Sequence, residues 1–195
     1  MSTPTLEQAT RTFEGRSIPA AGTYSFDVAH SHVGFTAKHL MIAKVRGRFG
    51  SFSGQVAIAE EPLASSVEVN IDAASIDTRD PQRDGHLRSA DFLDADNFPS
   101  LTYKSTSVRH TGDDEWAVDG ELTIRGVTRN VPLAVVFDGA ALDPWGGTRA
   151  VFSASAKINR EDFGLSWNAA LETGGVVVGK QVKIEIEAEA VIPQG

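Results

Sequence analysis

The chain has 195 residues, 41% hydrophobic and 23% charged, the balance of an ordinary globular domain with one sizeable core. A formal net charge of −8 argues against the basic face that non-specific nucleic-acid binding needs, and the lack of cysteine removes disulfide and thiol chemistry. No run of eighteen apolar residues offers a membrane-spanning helix, and the first twenty residues lack a basic-then-apolar leader, so cytoplasmic residence is the simplest expectation.

Residues 1–21 are polar, lack periodicity and end in Ile18-Pro19-Ala20-Ala21, which predicts an N-terminal tail draped over a single domain of residues 22–193. From Gly22 the pattern turns to period two: Tyr24, Phe26 and Val28 alternate with Ser25, Asp27 and Ala29. His30, Ser31 and His32 read as a bend, after which Val33, Phe35 and Ala37 share one side of the next strand. Val56 and Ile58 set the phase of a third strand, preceded by Gly47, Gly50 and Gly54 at the spacing of bends or bulges. Glu60-Glu61-Pro62 breaks that run, and Val67, Val69 and Ile71 mark the strand that follows.

Gly85–Pro99 is the well-marked helical segment, with Leu87, Ala90 and Leu93 at three-residue spacing and Phe92 widening the face. A short helix near residues 85–97 is predicted, ended by Phe98-Pro99. Such an insertion plugs or lids a hollow body, or packs on the nearest sheet as a long connection. Strands resume at Leu101 and Tyr103, then at Trp116, Val118, Leu122 and Ile124 after the turn His110–Asp114. Val131, Leu133, Val135 and Phe137 form another strand; Phe152, Ala154, Ala156 and Ile158 follow the turn at Asp143–Gly147. Gly174-Gly175 and Gly179 read as turn glycines rather than a phosphate cradle. In the last strand Val182, Ile184, Ile186, Ala188 and Ala190 alternate with Lys183, Glu185, Glu187 and Glu189.

About eight antiparallel strands with one apolar face each need a sandwich or a closed barrel. Long strands joined by tight turns favour the all-β barrel, because closure removes exposed edges. Eight strands leave room for packed side chains or one small ligand.

Several ordered pieces of sequence then carry a resemblance. They are Asp27-x-x-His30-Ser31-x-Val33-x-Phe35, Lys38-His39-Leu40, Val45-x-Gly47-x-Phe49 and Ser75-Ile76-Asp77-Thr78. Downstream come Asp84-x-His86-Leu87-x-Ser89-x-Asp91-Phe92, Phe98-Pro99, Gly120-x-Leu122-Thr123-Ile124-x-Gly126-Val127-Thr128 and Ile158-Asn159-Arg160-x-Asp162-Phe163-Gly164-Leu165. In this order and spacing the chain resembles the YceI-like, polyisoprenoid-binding, lipocalin-like family of bacterial proteins from about Gly22 to Pro193. The resemblance implies an extended eight-stranded antiparallel β-barrel whose apolar tunnel takes an isoprenoid or similar amphiphilic lipid, a prenyl phosphate or an isoprenoid quinone. It implies transport or sequestration, no cofactor and no catalysis.

Strand phase and the resemblance together place Phe35, Phe49, Val69, Ile71, Tyr103, Leu122, Ile124 and Val135 on the tunnel wall. Phe152, Ala154, Ala156, Ile158, Ile184 and Ile186 join them, with Leu87, Phe92 and Phe98 from the helical segment. The small residues among these permit a tunnel, although alternating small and large residues also fill a solid barrel. The same phase turns His39, Arg129 and Arg160 inward. An inward cation near a strand end is costly unless it meets an anion or the mouth, so these three are head-group candidates. Arg160 has a second reading, a pair with Asp162 or Asp91 that fastens the helical segment.

Two other functions stay open. One is a metal- or acid–base-dependent enzyme using His30, His32 or His86, although no recognised metal-ligand spacing is present. The other is a solid barrel serving as a stress-related interaction protein. A homodimer is compatible with the sequence; nucleic acid and a membrane-spanning role are not expected.

Overall fold

The computed structural model describes residues 9–40, 42–112, 114–144, 146–170 and 177–192. Residues 1–8 of the expected tail and the pair Gly174-Gly175 lie outside the described residues. In chain order the elements are β1 (Thr10–Phe13), β2 (Arg16–Pro19), β3 (Gly22–Phe26), β4 (His32–His39), β5 (Ala43–Phe49), β6 (Phe52–Ile58), β7 (Ser66–Asp72) and β8 (Ile76–Asp77). The helix α1 (Pro81–Arg88) follows, then β9 (Ser100–Gly112), β10 (Glu115–Ile124), β11 (Val127–Asn130), β12 (Leu133–Leu142), β13 (Thr148–Asn159) and β14 (Val178–Ile192).

Four staves of the barrel are pairs of these strands in line: β3 with β4, β5 with β6, β7 with β8, and β11 with β12. Together with β9, β10, β13 and β14 they form an up-and-down ring of eight antiparallel staves. Each pairs with its chain neighbour, and β14 closes the ring onto β3 and β4. Register keeps the apolar phase continuous around the ring: Val69 faces Tyr103, Tyr103 faces Leu122, Ala154 faces Ile186 and Ile184 faces Phe35. That continuity is what period-two patterning on every stave must produce once the sheet closes.

The structure redraws four sequence expectations. The strand begun at Tyr24 stops at Phe26, because the Asp27 side chain accepts from the Ala29 amide and opens a 3₁₀ turn over Val28–His30. Val28 is therefore exposed, not in phase with the core. The strand from Val131 is split from β11 by Pro132, which has no N–H for the ladder; Val131 instead donates to the Gly120 carbonyl at 2.8 Å. The helix begins earlier and ends sooner than residues 85–97: Asp80 accepts from the amides of Gln82 and Arg83, Pro81 supplies the first helical position, and Ser89 ends it. Ala90 is consequently exposed. Finally, part of the expected tail is a hairpin, since Glu14 and Gly15 both hold positive φ (49° and 80°), the primed two-residue turn that suits paired strands.

Side-chain bonds tie these excursions to the barrel. Arg83 donates to the Thr78 hydroxyl (2.7 Å) and carbonyl (2.9 Å), and buried Asp84 accepts from the Thr78 amide (2.8 Å). Arg88 reaches the carbonyls of Ala74 (2.7 Å) and Ile76 (2.9 Å), so α1 is stapled to the end of the β7–β8 stave. The β1–β2 hairpin is held at the opposite end, where Arg11 donates to the carbonyls of Ala59 and Glu60 and Phe13 meets Trp116.

Candidate functional site

Inside the barrel lie two apolar chambers of about 180 and 150 Å³. They meet at Phe26, Val69, Leu133, Ile186 and Ala188, which belong to both walls. Together they sit at the lower end of the ~300–1,000 Å³ typical of small-molecule sites. The larger chamber is closed on the helix side by Ile76, Leu87 and Leu93, the smaller by Ile18 and Pro19 of the β1–β2 hairpin and by Pro62.

The space arises from residue size at inward positions. Ala154 and Ala188 fall among Phe26, Phe137 and Phe152 on the smaller chamber. Two glycines let rings lie flat on the sheet: a Cβ at Gly47 would come within 2.3 Å of Phe35, and one at Gly120 within 2.4 Å of Tyr103. The buried Tyr103 hydroxyl already donates to the carbonyls of Val118 (2.9 Å) and Val131 (3.1 Å). Burial pushes its phenol well above the ordinary value, so it stays neutral. The interior therefore offers an extended apolar volume whose hydrogen-bonding capacity is largely spent on the protein itself.

Of the seventeen expected lining residues, fourteen stand in a chamber wall. Phe35, Phe49, Val69, Ile71, Leu87, Tyr103, Leu122, Ile124, Ile158, Ile184 and Ile186 line the larger one, and Val135, Phe152 and Ala154 the smaller. Three lie elsewhere. Ala156 is buried in the packed part of the core. Phe92 follows the early end of α1 and packs against His86 and Trp167, with ring centroids 5.1 and 5.3 Å away. Phe98 covers Gly126, where a Cβ would come within 2.8 Å of its ring. Phe26, Leu133 and Ala188 were legible from strand phase as inward residues, but not as the junction between chambers. Ile18 and Pro19 gave no periodic signal, because β2 has four residues.

The three head-group candidates separate. Arg160 is buried, as its phase required, but it donates to the carbonyls of Leu165, Gly179 (3.0 Å) and Val178 (3.4 Å) rather than to Asp162 or Asp91. Burial lowers its pKa from the usual value, and the carbonyls supply the acceptors it needs. Arg129 stands opposite Leu122 in register yet is exposed, because β11 reaches the rim, and it donates to the Thr128 carbonyl (2.9 Å). His39 ends β4 between Val178 and Ala43, outside both chamber walls.

The histidines are dispersed too. His30 bonds Asp27 (3.0 Å) at one end of the barrel, His32 stands exposed on the outer face opposite Glu187, and His86 bonds Asp91 (2.8 Å) beside Trp167 at the other end. Asp27, His30 and Glu189 bring ligand atoms within 4.8 Å of one another. The Arg149 guanidinium already fills that cluster: it bonds Asp27 (2.9 Å), Glu189 and Asp143 (3.1 Å). Arg149 and His30 hold the Asp27 carboxyl down at about 2. A metal ion there would have to displace a guanidinium held by three carboxylates.

Residues 24–190 match the model of the YceI-like domain. A UPF0312 protein of Staphylococcus aureus (strain N315) is 39% identical over 168 residues, covering 85% of this chain and 95% of the relative. Among solved structures, Burkholderia cenocepacia BcnA superposes with a TM-score of 0.72 at 25% identity, over 84% of this chain and 98% of that one. A polyisoprenoid binding domain from Saccharophagus degradans, implicated in plant cell wall breakdown, shares the fold with a TM-score of 0.68 at 18% identity, over 87% and 98% of the two chains.

Proposed function

The chain belongs to the YceI-like domain family, and we propose that it binds, sequesters or carries an isoprenoid or similar amphiphilic lipid in its barrel, without catalysis. The observation that carries this reading is the pair of adjoining apolar chambers, about 180 and 150 Å³, bounded mostly by aliphatic and aromatic side chains. Each methylene moved from water into such a space contributes roughly 0.8 kcal/mol, so a few isoprene units suffice for tight binding after ordering costs. The polyisoprenoid binding domain with the same fold supports the ligand class. Commitment of Arg160 to three carbonyls favours an uncharged head, a prenol or quinone, over a phosphate held inside the barrel.

Native mass spectrometry of the purified protein, with extraction and identification of co-purified lipid, tests the reading directly. A bound isoprenoid is expected, and added prenol should bind at least as tightly as the matching prenyl phosphate. An apolar fluorescent probe that enters the barrel but is not displaced by any prenol would reject the isoprenoid assignment.

A further inference from the structure

The outer face of the barrel beside the larger chamber carries a charge pattern that the interior does not explain. Cross-strand register sets Lys157 directly opposite Lys183, and Lys38 directly opposite Lys44. Like charges facing each other across a ladder are destabilising, and this chain carries an overall charge of −8, so carboxylates were available to separate them. Arg46 continues the first row through Thr36, and Arg48 and Lys180 stand beside the two rows. Against these seven cations stand Glu185, Asp77 and Glu161, which pair with Lys183 (2.6 Å), Arg48 (3.3 Å) and Lys180 (2.9 Å). Among the described residues, no ion pair joins Lys38, Lys44 or Lys157 to a carboxylate, and Arg46 acts on Glu185 only as a nearby charge without a direct contact.

The turn between β4 and β5 adds an apolar tip to this basic face. Ile42 is 89% exposed and Leu40 42%, the former the most exposed large hydrophobic residue among those described. Leu40 also holds a positive φ of 50°, a conformation a leucine does not favour. On one side β8 pairs with β5 only at Arg48 and Phe49, leaving the rest of that edge unpaired, while on the other the Leu40 amide donates to the Val177 carbonyl (2.9 Å).

We propose that this hairpin tip and the basic rows behind it dock the protein on an anionic membrane surface. Leu40 and Ile42 would enter the head-group layer while Lys38, Lys44, Arg46 and Lys157 meet lipid phosphates. The two features complement such a surface jointly: an apolar tip alone suits any hydrophobic partner, and cations alone suit any polyanion. Docking there sets the membrane against the wall of the larger chamber, since Phe35, Ile158 and Val182 on the inner side alternate with Lys157, Lys183 and Lys38 on the same strands. The inference stands apart from what the barrel holds, because it concerns the outside of the sheet.

Sedimentation with vesicles of equal parts phosphatidylglycerol and phosphatidylcholine, against pure phosphatidylcholine, tests it. Binding is expected to the anionic vesicles alone and to be largely lost at about 1 M salt, where the Debye length is roughly 3 Å. The double variant K38E/K44E preserves cross-strand repulsion and hence its folding cost, yet should lower binding by about tenfold or more. Ile42→Ser should weaken binding several-fold while leaving its salt dependence unchanged. Equal binding by wild type and K38E/K44E, with unchanged melting curves, would reduce the cations to protection of an unpaired edge and overturn the proposal. So would a dimer in solution that Ile42→Ser dissociates, since the tip would then be an interface between copies of this chain.

Discussion

Strand β13 has an arginine at its second position, Arg149, and another just past its last residue, Arg160, and the two solve the same electrostatic problem in opposite ways. At the start, Arg149 is a quarter exposed and bonds three carboxylates, Asp27, Asp143 and Glu189, from three separate segments. Past the finish, Arg160 is 4% exposed and bonds three neutral carbonyls, that of Leu165 in the connection after β13 and those of Val178 and Gly179 at the start of β14. Water near Arg149 lowers the cost of gathering several charges in one place. Around Arg160 a single charge must be satisfied by dipoles, and the carbonyls it collects are those an irregular segment would otherwise leave unpaired. One end of the barrel is thus clasped by ion pairs, the other by a cation that organises backbone.

The contrast is sharpest if Arg160 is removed. Arg160→Met keeps the apolar stem but strands the carbonyls of Leu165, Val178 and Gly179 in a buried place. A loss of about 3 kcal/mol or more is expected, read as a lower urea midpoint with an unchanged slope. Hydrogen exchange should show the first residues of β14 losing protection while its distal half keeps it. Uniform loss along β14 would mean that Arg160 does not organise that end locally.

Between the two arginines, β13 passes from chamber wall to packed core within two residues. Ala154 borders the smaller chamber and Ala156 does not, although both point inward. Ala156→Leu should therefore cost ~1–3 kcal/mol by overpacking. Ala154→Leu should cost less than about 1 kcal/mol, because its added atoms enter free space, while lowering uptake of an apolar probe. Equal penalties at the two sites would show that the smaller chamber is not available volume.

This strand also shows what could be read from sequence. Period-two patterning placed both alanines and Arg160 inward, and it fixed the faces of β14, whose alternation is unbroken from Val182 to Ala190. It failed where a side chain lies beyond the ladder. Arg160 sits in a 3₁₀ turn, where inward phase no longer implies a ligand-facing group, and Arg129 has the right phase but stands on the rim. Phe92 was assigned to a helix face that ends at Arg88, so it faces Trp167 instead of the tunnel. The β1–β2 hairpin was invisible because a four-residue strand holds too few periods, while its turn depends on φ at Glu14 and Gly15. The Arg149 cluster was missed for another reason: Asp27, Asp143 and Glu189 lie far apart in the chain, and parity gives no information about groups on the outer surface.

The smallest expected effect tests the ion-paired end. Arg149→Met should cost about 1 kcal/mol near neutral pH, since the cluster is partly solvated and screened. Its signature is the pH dependence. In the folded protein the Asp27 carboxyl lies at about 2, below its ordinary 3.8, because Arg149 foremost and His30 next favour the ionised form. A group with a depressed folded pKa stabilises the fold fully above its unfolded value, and that contribution disappears as pH falls from about 4 toward 2. In Arg149→Met the depression should largely vanish, and Glu189 and Asp143 then oppose ionisation of Asp27. Wild type should therefore be the more stable protein above about pH 4, and the gap should close as pH approaches 2. Urea titrations of both proteins across that range provide the check, with Arg160→Met as the internal contrast. Its partners are carbonyls that do not titrate, so its deficit should stay constant over the same window. A wild-type advantage at Arg149 that is equally flat with pH would mean that this guanidinium acts through packing and not through its carboxylates.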